Sequence, residues 1–395
     1  MTSQKDTPRS ERLHIGIFGR RNAGKSSLLN AIAGQDIAVV SEVKGTTTDP
    51  VFKAMELLPL GPVVLIDTPG LDDVGDLGAL RIEKTKQILR KTDVALLVID
   101  AETGLSNIEQ ELIQLFEKSG VKYLTIYNTS VPATQAQPDR IYVNLLTGEN
   151  VETLKEAIVQ IGASDTETRH LVSDLLFPGD FVILVTPIDE SGPKGRLILP
   201  QQQVIRDVLD AQAVPILTQT DGLPHTLQNL RTPPKLVITD SQVFAEAAKH
   251  TPMDIPLTSF SILMARYKGV LAEAVRGANA LDTIKENNQI LIAEGCTHHR
   301  QCEDIGTVKL PRWIEAHTGV KPRYTFVSGG DFPDDVTPYK LIIHCGGCML
   351  NTREMQYREH TAIEANIPMT NYGIAISHMQ GILARAIAPL GPCHY

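Results

Sequence analysis

One junction constrains the fold of this chain more tightly than any other: Leu13-His-Ile-Gly-Ile-Phe18 runs straight into Gly19-Arg-Arg-Asn-Ala-Gly24-Lys25-Ser26. The second segment satisfies G-x-x-x-x-G-K-[ST], a motif that works only between a buried strand and the first turn of a helix. There, backbone N–H groups and the helix N-terminus face a phosphate. Leu13–Phe18 reads as that strand and Ser26–Ala33 as that helix. Further apolar runs at Val63–Ile66, Val94–Ile99 and Tyr123–Tyr127 alternate with helical stretches. Near-continuous apolar strands of this kind predict a parallel sheet covered on both faces. The strand–helix unit from Ile141 to Ile161 closes this region near Gly162, and Ala163–Thr168 forms a polar boundary.

The remaining length requires more than one core, since 395 residues favour two or three domains. A second α/β unit is expected from the strands Asp180–Val185 and Lys235–Thr239, with a helix over Gln201–Ala211 between them. Pro233 and Pro234 punctuate the chain just before the second of these strands. A third unit begins near Phe260 with strands Gln289–Glu294 and Lys340–His344, each leading into a cysteine, and ends in a helix over Ile374–Ala388. Ligands of open α/β sheets gather beyond the carboxyl ends of strands, so these cysteines are expected to meet. The fold class is therefore α/β in three domains.

Charge and hydropathy narrow the function. A net charge of −9 argues against a broad basic nucleic-acid surface. No run of 18 apolar residues favours a membrane span, and the polar N-terminus lacks the apolar core of a secretory signal, which fits a cytoplasmic protein. Residues 1–12 are expected to fray.

In the phosphate loop, Lys25 is placed to reach the β- and γ-phosphates, and the Ser26 hydroxyl to bind Mg²⁺. Asp67-Thr68-Pro69-Gly70 follows the strand Val63–Ile66; the aspartate suits the Mg²⁺ shell and the Gly70 amide a sensor of the γ-phosphate. Between them, Gly45-Thr46-Thr47-Thr48 stands where a threonine-bearing switch belongs.

The five cysteines carry a second chemistry. Cys296-Thr-His298 and His344-Cys345-Gly-Gly-Cys348 are soft-metal half-sites with 45 residues between the two histidines. Three readings are open: buried structural cysteines, a Cys₃His zinc, and a [4Fe–4S] cluster on three thiolates with the fourth iron left to a weaker ligand. Glu303, His298, His344 and Cys302 are candidates for that fourth position, whereas Cys393 reads as incidental.

Asn22-Ala23-Gly24-Lys25-Ser26-Ser27, Gly45-Thr46-Thr47 and Asp67-Thr68-Pro69-Gly70 resemble the Era- and TrmE-type GTPases. The resemblance implies GTP as ligand and Thr47 beside Ser26 on Mg²⁺. It also implies a K⁺ ion at Asn22, with Ser41, Val43 and Thr46 lining its loop. Lys25, Thr47 and Gly70 would then form the catalytic set. The chain departs from those relatives after the strand Tyr123–Tyr127, where Asn128-Thr129-Ser130-Val131 replaces Asn-Lys-x-Asp. The missing carboxylate contact to the base is worth on the order of 1.5–3 kcal/mol.

Over its whole length the chain resembles the HydF family, the GTPase maturases of [FeFe]-hydrogenase. That resemblance implies a GTPase domain at 13–165, a dimerisation domain at 170–260 and an iron–sulfur domain at 261–395. It implies a [4Fe–4S] cluster on Cys296, Cys345 and Cys348. It further implies a homodimeric scaffold that receives a diiron precursor from radical-SAM maturases and delivers it to the apo-hydrogenase. The alternative is a ribosome- or RNA-associated GTPase with a structural Cys/His zinc site, a class that usually carries a basic appendage which is missing here.

Overall fold

Adjacent residues of one strand serve two different cores. Leu96 and Val98 pack with Leu28, Leu29 and Ile32, while Leu97 and Ile99 pack with Phe18, Leu112 and Phe116 on the opposite face. Side chains alternate across a strand, so a strand that is apolar throughout must be covered twice. The computed structural model describes residues 7–34, 50–69, 84–131, 140–163, 169–187, 197–296 and 304–391. Ser41, Val43, Thr46, Thr47, Gly70, His298, Cys302, Glu303 and Cys393 lie outside these residues.

The chain divides into two compact units, Met1–Thr168 and Arg169–Tyr395. In the first, the strands β1 (Leu13–Phe18), β2 (Val51–Leu57), β3 (Gly61–Asp67), β4 (Val94–Asp100), β5 (Lys122–Asn128) and β6 (Arg140–Val143) form one sheet of order β2-β3-β1-β4-β5-β6. All pairs are parallel except β2–β3. Helices Lys25–Ala33, Asn107–Lys118 and Val151–Ala163 cover it, together with a helical stretch at 84–89.

The second unit holds two four-stranded parallel sheets. One comprises β7 (Phe181–Val185), β8 (Val214–Thr218), β9 (Leu236–Thr239) and β10 (Leu257–Ser259), ordered β10-β9-β7-β8. The other comprises β11 (Gln289–Glu294), β12 (Arg323–Ser328), β13 (Leu341–His344) and β14 (Met369–Asn371), ordered β12-β11-β13-β14. A single apolar core runs from Val182 and Leu184 through Leu263 to Leu291, Ile342 and Ile374. A second core, built on Ile290, Ile292, Leu310, Ile314 and Ile343, lies on the other face of the last sheet.

In each sheet, one strand pairs with later strands on both of its sides: β3 and β4 flank β1, β8 and β9 flank β7, and β12 and β13 flank β11. The crevices so formed lie beyond β1 in the first unit and between β11 and β13 in the last sheet, which is where α/β folds place ligands. One local expectation is corrected. The final helix is not continuous over Ile374–Ala388 but consists of Tyr372–Met379 and Leu383–Ile387, because Gly381 takes φ 70° and ends the first of them. Among the described residues, no helix is long and apolar enough to cross a membrane.

Candidate nucleotide and metal sites

The phosphate loop sits where β1 ends between β3 and β4. Gly19 has φ 141°, and a Cβ there would collide with the Val98 carbonyl, so the turn requires glycine. Asn22 takes φ 62°, a left-handed geometry that asparagine tolerates. Lys25 is buried, and its ammonium donates to the Gly19 and Arg20 carbonyls at 3.0 and 2.6 Å. Arg20 is fixed in turn. Its guanidinium donates to the fully buried Glu109 (2.5 Å), to Thr103 Oγ1 (2.7 Å) and to the Gly104 carbonyl (3.1 Å). Glu109 also closes the capping box of the helix Asn107–Lys118 with Ser106, so the helix start and the loop share one carboxylate.

Ser26 and Asp67 meet across the crevice, with the Ser26 hydroxyl donating to Asp67 Oδ2 at 2.8 Å. Burial raises the Asp67 carboxyl above its usual range, against the Ser26 hydrogen bond and the Lys25 charge. Asp67 Oδ1 is buried without a hydrogen-bond partner. An orphaned carboxylate oxygen beside a serine hydroxyl suits a hard cation such as Mg²⁺. Thr68 is buried, its hydroxyl donating to the Ile17 carbonyl at 2.6 Å, and Pro69 is buried beside it. Ser27 is exposed. Asn128 supports the loop from β5, its side-chain amide donating to the Ala23 carbonyl at 3.3 Å. Asn144 accepts from the Leu146 and Thr147 amides, which makes it a turn former.

The cysteines converge at the other crevice. β11 pairs with β13 through Ala293 opposite His344, so Cys296 and Cys345 leave adjacent strand ends. Cys348 follows after Gly347, whose φ of 65° bends the chain back. The Gly295 and Gly347 amides donate to Cys345 Sγ at 3.1 and 3.4 Å. Burial pushes the Cys345 thiol up to about 12, opposed by those two amides and reinforced by the neighbouring Cys348 and Cys296. Burial, then Cys348 and Glu294, push Cys296 up to about 11. Cys348 is raised by burial and lowered by the ammonium of Lys268. Three thiols at neighbouring strand ends, with amide donors already aimed at one sulfur, form a donor set that fits zinc or an iron–sulfur cluster.

His344 contributes differently from the expectation of a metal ligand. It is fully buried; its Nδ1 donates to the Cys345 carbonyl at 2.8 Å, and its Nε2 accepts from Arg358 Nη1 at 2.9 Å. Both ring nitrogens are occupied, which leaves no lone pair for a metal. Burial and the Arg358 charge push its pKa down to about 3, so the ring is neutral. Arg358 also donates to the Gly329 carbonyl (2.6 Å) and Glu354 (2.8 Å), tying the helix Thr352–Glu364 to the residue that follows β12. Lys268 is likewise fully buried and donates to the Leu350 carbonyl at 2.7 Å. Tyr372 donates to Glu294, the last residue of β11, at 3.2 Å. Sequence reading did not find Lys268, Arg358, Glu294 or Tyr372 because each comes from a different segment with no motif of its own.

Comparison with known proteins matches three family models in succession. They are the 50S ribosome-binding GTPase at residues 14–129, the hydrogen maturase F dimerization domain at 171–269 and the hydrogen maturase F tetramerization domain at 272–389. Similar relatives include the tRNA modification GTPase MnmE of Thiobacillus denitrificans, 36% identical over 41% of this chain. GTPase Der of Kosmotoga olearia is 38% identical over 30% of the chain. The matches span only 38% and 28% of those relatives' lengths. Among solved structures, a point variant of Era from Aquifex aeolicus aligns over 81% of this chain and 94% of its own. Its identity is 16% and its TM-score 0.34. A probable GTP-binding protein engB aligns over 38% and 99%, with 20% identity and a TM-score of 0.30.

Proposed function

Because the chain belongs to the hydrogen maturase F family, we propose that it is a cytoplasmic GTP-hydrolysing scaffold for [FeFe]-hydrogenase assembly. On this reading it holds a [4Fe–4S] cluster on Cys296, Cys345 and Cys348. The observation that carries the proposal is the convergence of these three thiols, with no fourth cysteine among the described residues, at one strand-end crevice. A cluster bound there supplies an iron with an incomplete protein ligand set, to which a diiron precursor can attach as cargo. His344 then acts as a positioning residue, and the fourth ligand is sought in the segment that carries His298 and Glu303.

At the nucleotide end, Lys25 and the loop amides bind the phosphates of GTP, and Ser26 with Thr47 holds Mg²⁺ while Asp67 supports its shell. Asn22 would help hold a K⁺ ion, which would supply the charge that an arginine finger gives elsewhere. Thr47 and Gly70, in the switch segments, sense the γ-phosphate, and the nucleotide acts by its differential affinity for two conformations. The radical-SAM maturases and the apo-hydrogenase are the partners of this reading, and the dimerization and tetramerization models support a homo-oligomer. The acidic balance of the chain weighs against the RNA-associated alternative.

Anaerobic reconstitution with iron and sulfide, followed by metal analysis and EPR of the reduced protein, tests the cluster. About four irons per chain with a reduced-cluster signal are expected, and stoichiometric zinc without that signal overturns the reading. GTP turnover is expected to be faster in potassium than in sodium buffer; equal rates remove the K⁺ role.

A further inference from the structure

A second group of metal-ligating side chains stands apart from the cysteines. Asp282 lies in the short turn Asn279–Thr283, His317 in the last turn of the helix Leu310–Thr318 and His378 in the last turn of Tyr372–Met379. His317 Nε2 donates to Asp282 Oδ1 at 2.8 Å, and His378 Nε2 donates to Asp282 Oδ2 at 3.0 Å. The two imidazoles stand edge to face with centroids 6.0 Å apart. One ligand atom from each residue lies within 4.8 Å of the others. Three elements distant in sequence thus bring two ring nitrogens to the two oxygens of one carboxylate.

We propose that Asp282, His317 and His378 form a divalent-cation site of the zinc class that clamps this turn to the ends of two helices. Two imidazoles and a carboxylate are an established zinc donor set, with bonds of about 2.0–2.2 Å. Tetrahedral ligands at those bond lengths lie about 3.3 Å apart, so movements of about an ångström convert the present hydrogen bonds into coordination. Both histidines occupy helix C-termini, where the terminal carbonyls carry partial negative charge and favour a cation. Side-chain exposures of 54% for Asp282, 25% for His317 and 16% for His378 leave the fourth position open to water. Each Nε2 now carries the hydrogen it donates to Asp282. Coordination uses the pair freed when that hydrogen leaves; the hydrogen passes through water to Nδ1 of a neutral ring or to solvent from a charged one.

The site is not an extension of the cysteine crevice. All strands of the last sheet are parallel. The turn Asn279–Thr283 precedes β11, and both helices run back toward the strand starts, whereas Cys296 and Cys345 follow the strand ends. The six residues of β11 separate the two edges by roughly 20 Å. The clamp therefore fixes the sheet edge opposite the cysteines.

The test uses the full chain with its cysteines loaded anaerobically with iron and sulfide, then equilibrated with zinc and desalted. One zinc per chain is expected, with an X-ray absorption shell of nitrogen and oxygen and no sulfur. H317Q and H378Q retain a polar side chain but remove the imidazole. Each is expected to weaken zinc binding at least ~10-fold and to cancel the rise in thermal midpoint that zinc gives the parent. Unchanged iron content and Trp313 fluorescence in these variants show that the unit is folded. H360A, at another exposed His–Glu pair, is expected to keep its zinc. Absence of retained zinc in the parent, a sulfur shell, or undiminished binding in both glutamine variants overturns the proposal.

Discussion

At the phosphate loop, the groups that face a ligand are backbone amides set by the turn itself, whereas at the ends of β11 and β13 they are buried side chains that carry protons. The loop amides and the first turn of Lys25–Ala33 are anion donors at any pH. The Cys345 and Cys296 thiols, pushed up to about 12 and 11, favour their neutral form. One end of the chain is thus ready for its ligand as folded. The other would have to give up protons to bind the proposed cluster, since its neutral form is what the apolar surroundings favour.

The largest expected effects come from breaking each end separately. C345S removes the sulfur that two amides already address, and iron retention after reconstitution is expected to fall to background while GTP turnover persists. Loss of turnover in that variant would break the distinction between the two ends. R358A is next. It takes the guanidinium away from Glu354 and from His344 Nε2, so the second unit is expected to lose about 3–5 kcal/mol. Trp313, the one tryptophan of the chain, lies in that unit and reports its denaturant unfolding by fluorescence. K25A is the converse test. Removing a charged donor to phosphate costs about 1.5–3 kcal/mol, which corresponds to a roughly 10- to 100-fold fall in GTP turnover, with iron content unchanged.

The same contrast explains what could be read in the sequence. Local motifs were legible: the phosphate loop, Asp67-Thr68-Pro69 and the cysteine half-sites each carry their chemistry within a few residues, and the long apolar strands declare their burial. Strands at sheet edges were harder. β2 alternates exposed and part-buried residues, and β14 spans three residues, so neither presents an apolar run. The surroundings of the three cysteines were not legible. Arg358 reaches His344 from the next helix, and Lys268 reaches Leu350 across 82 positions. Burial of a lysine or arginine is set by tertiary packing and leaves no periodic trace. The role of His344 followed the same rule, since its place in His-Cys-x-x-Cys suggested a ligand until both nitrogens were seen to be engaged.

The smallest expected effect concerns a single protonation in the second unit. Burial, then the neighbouring Glu273 carboxylate, push the Glu359 carboxyl up to about 7, with Arg276 opposing. The fold therefore favours its neutral form. The stability this gives is complete below the unfolded value of about 4.5 and is lost as pH rises through 7. E359Q keeps the neutral shape at every pH, so it is expected to match the parent at about pH 4 and to exceed it at about pH 8. Glu359 is part-exposed, and after discounting for solvent screening the gain at the higher pH is on the order of 1 kcal/mol. Denaturation followed by Trp313 fluorescence at the two pH values measures it. An equal difference at both would mean that packing, not charge, separates the variants.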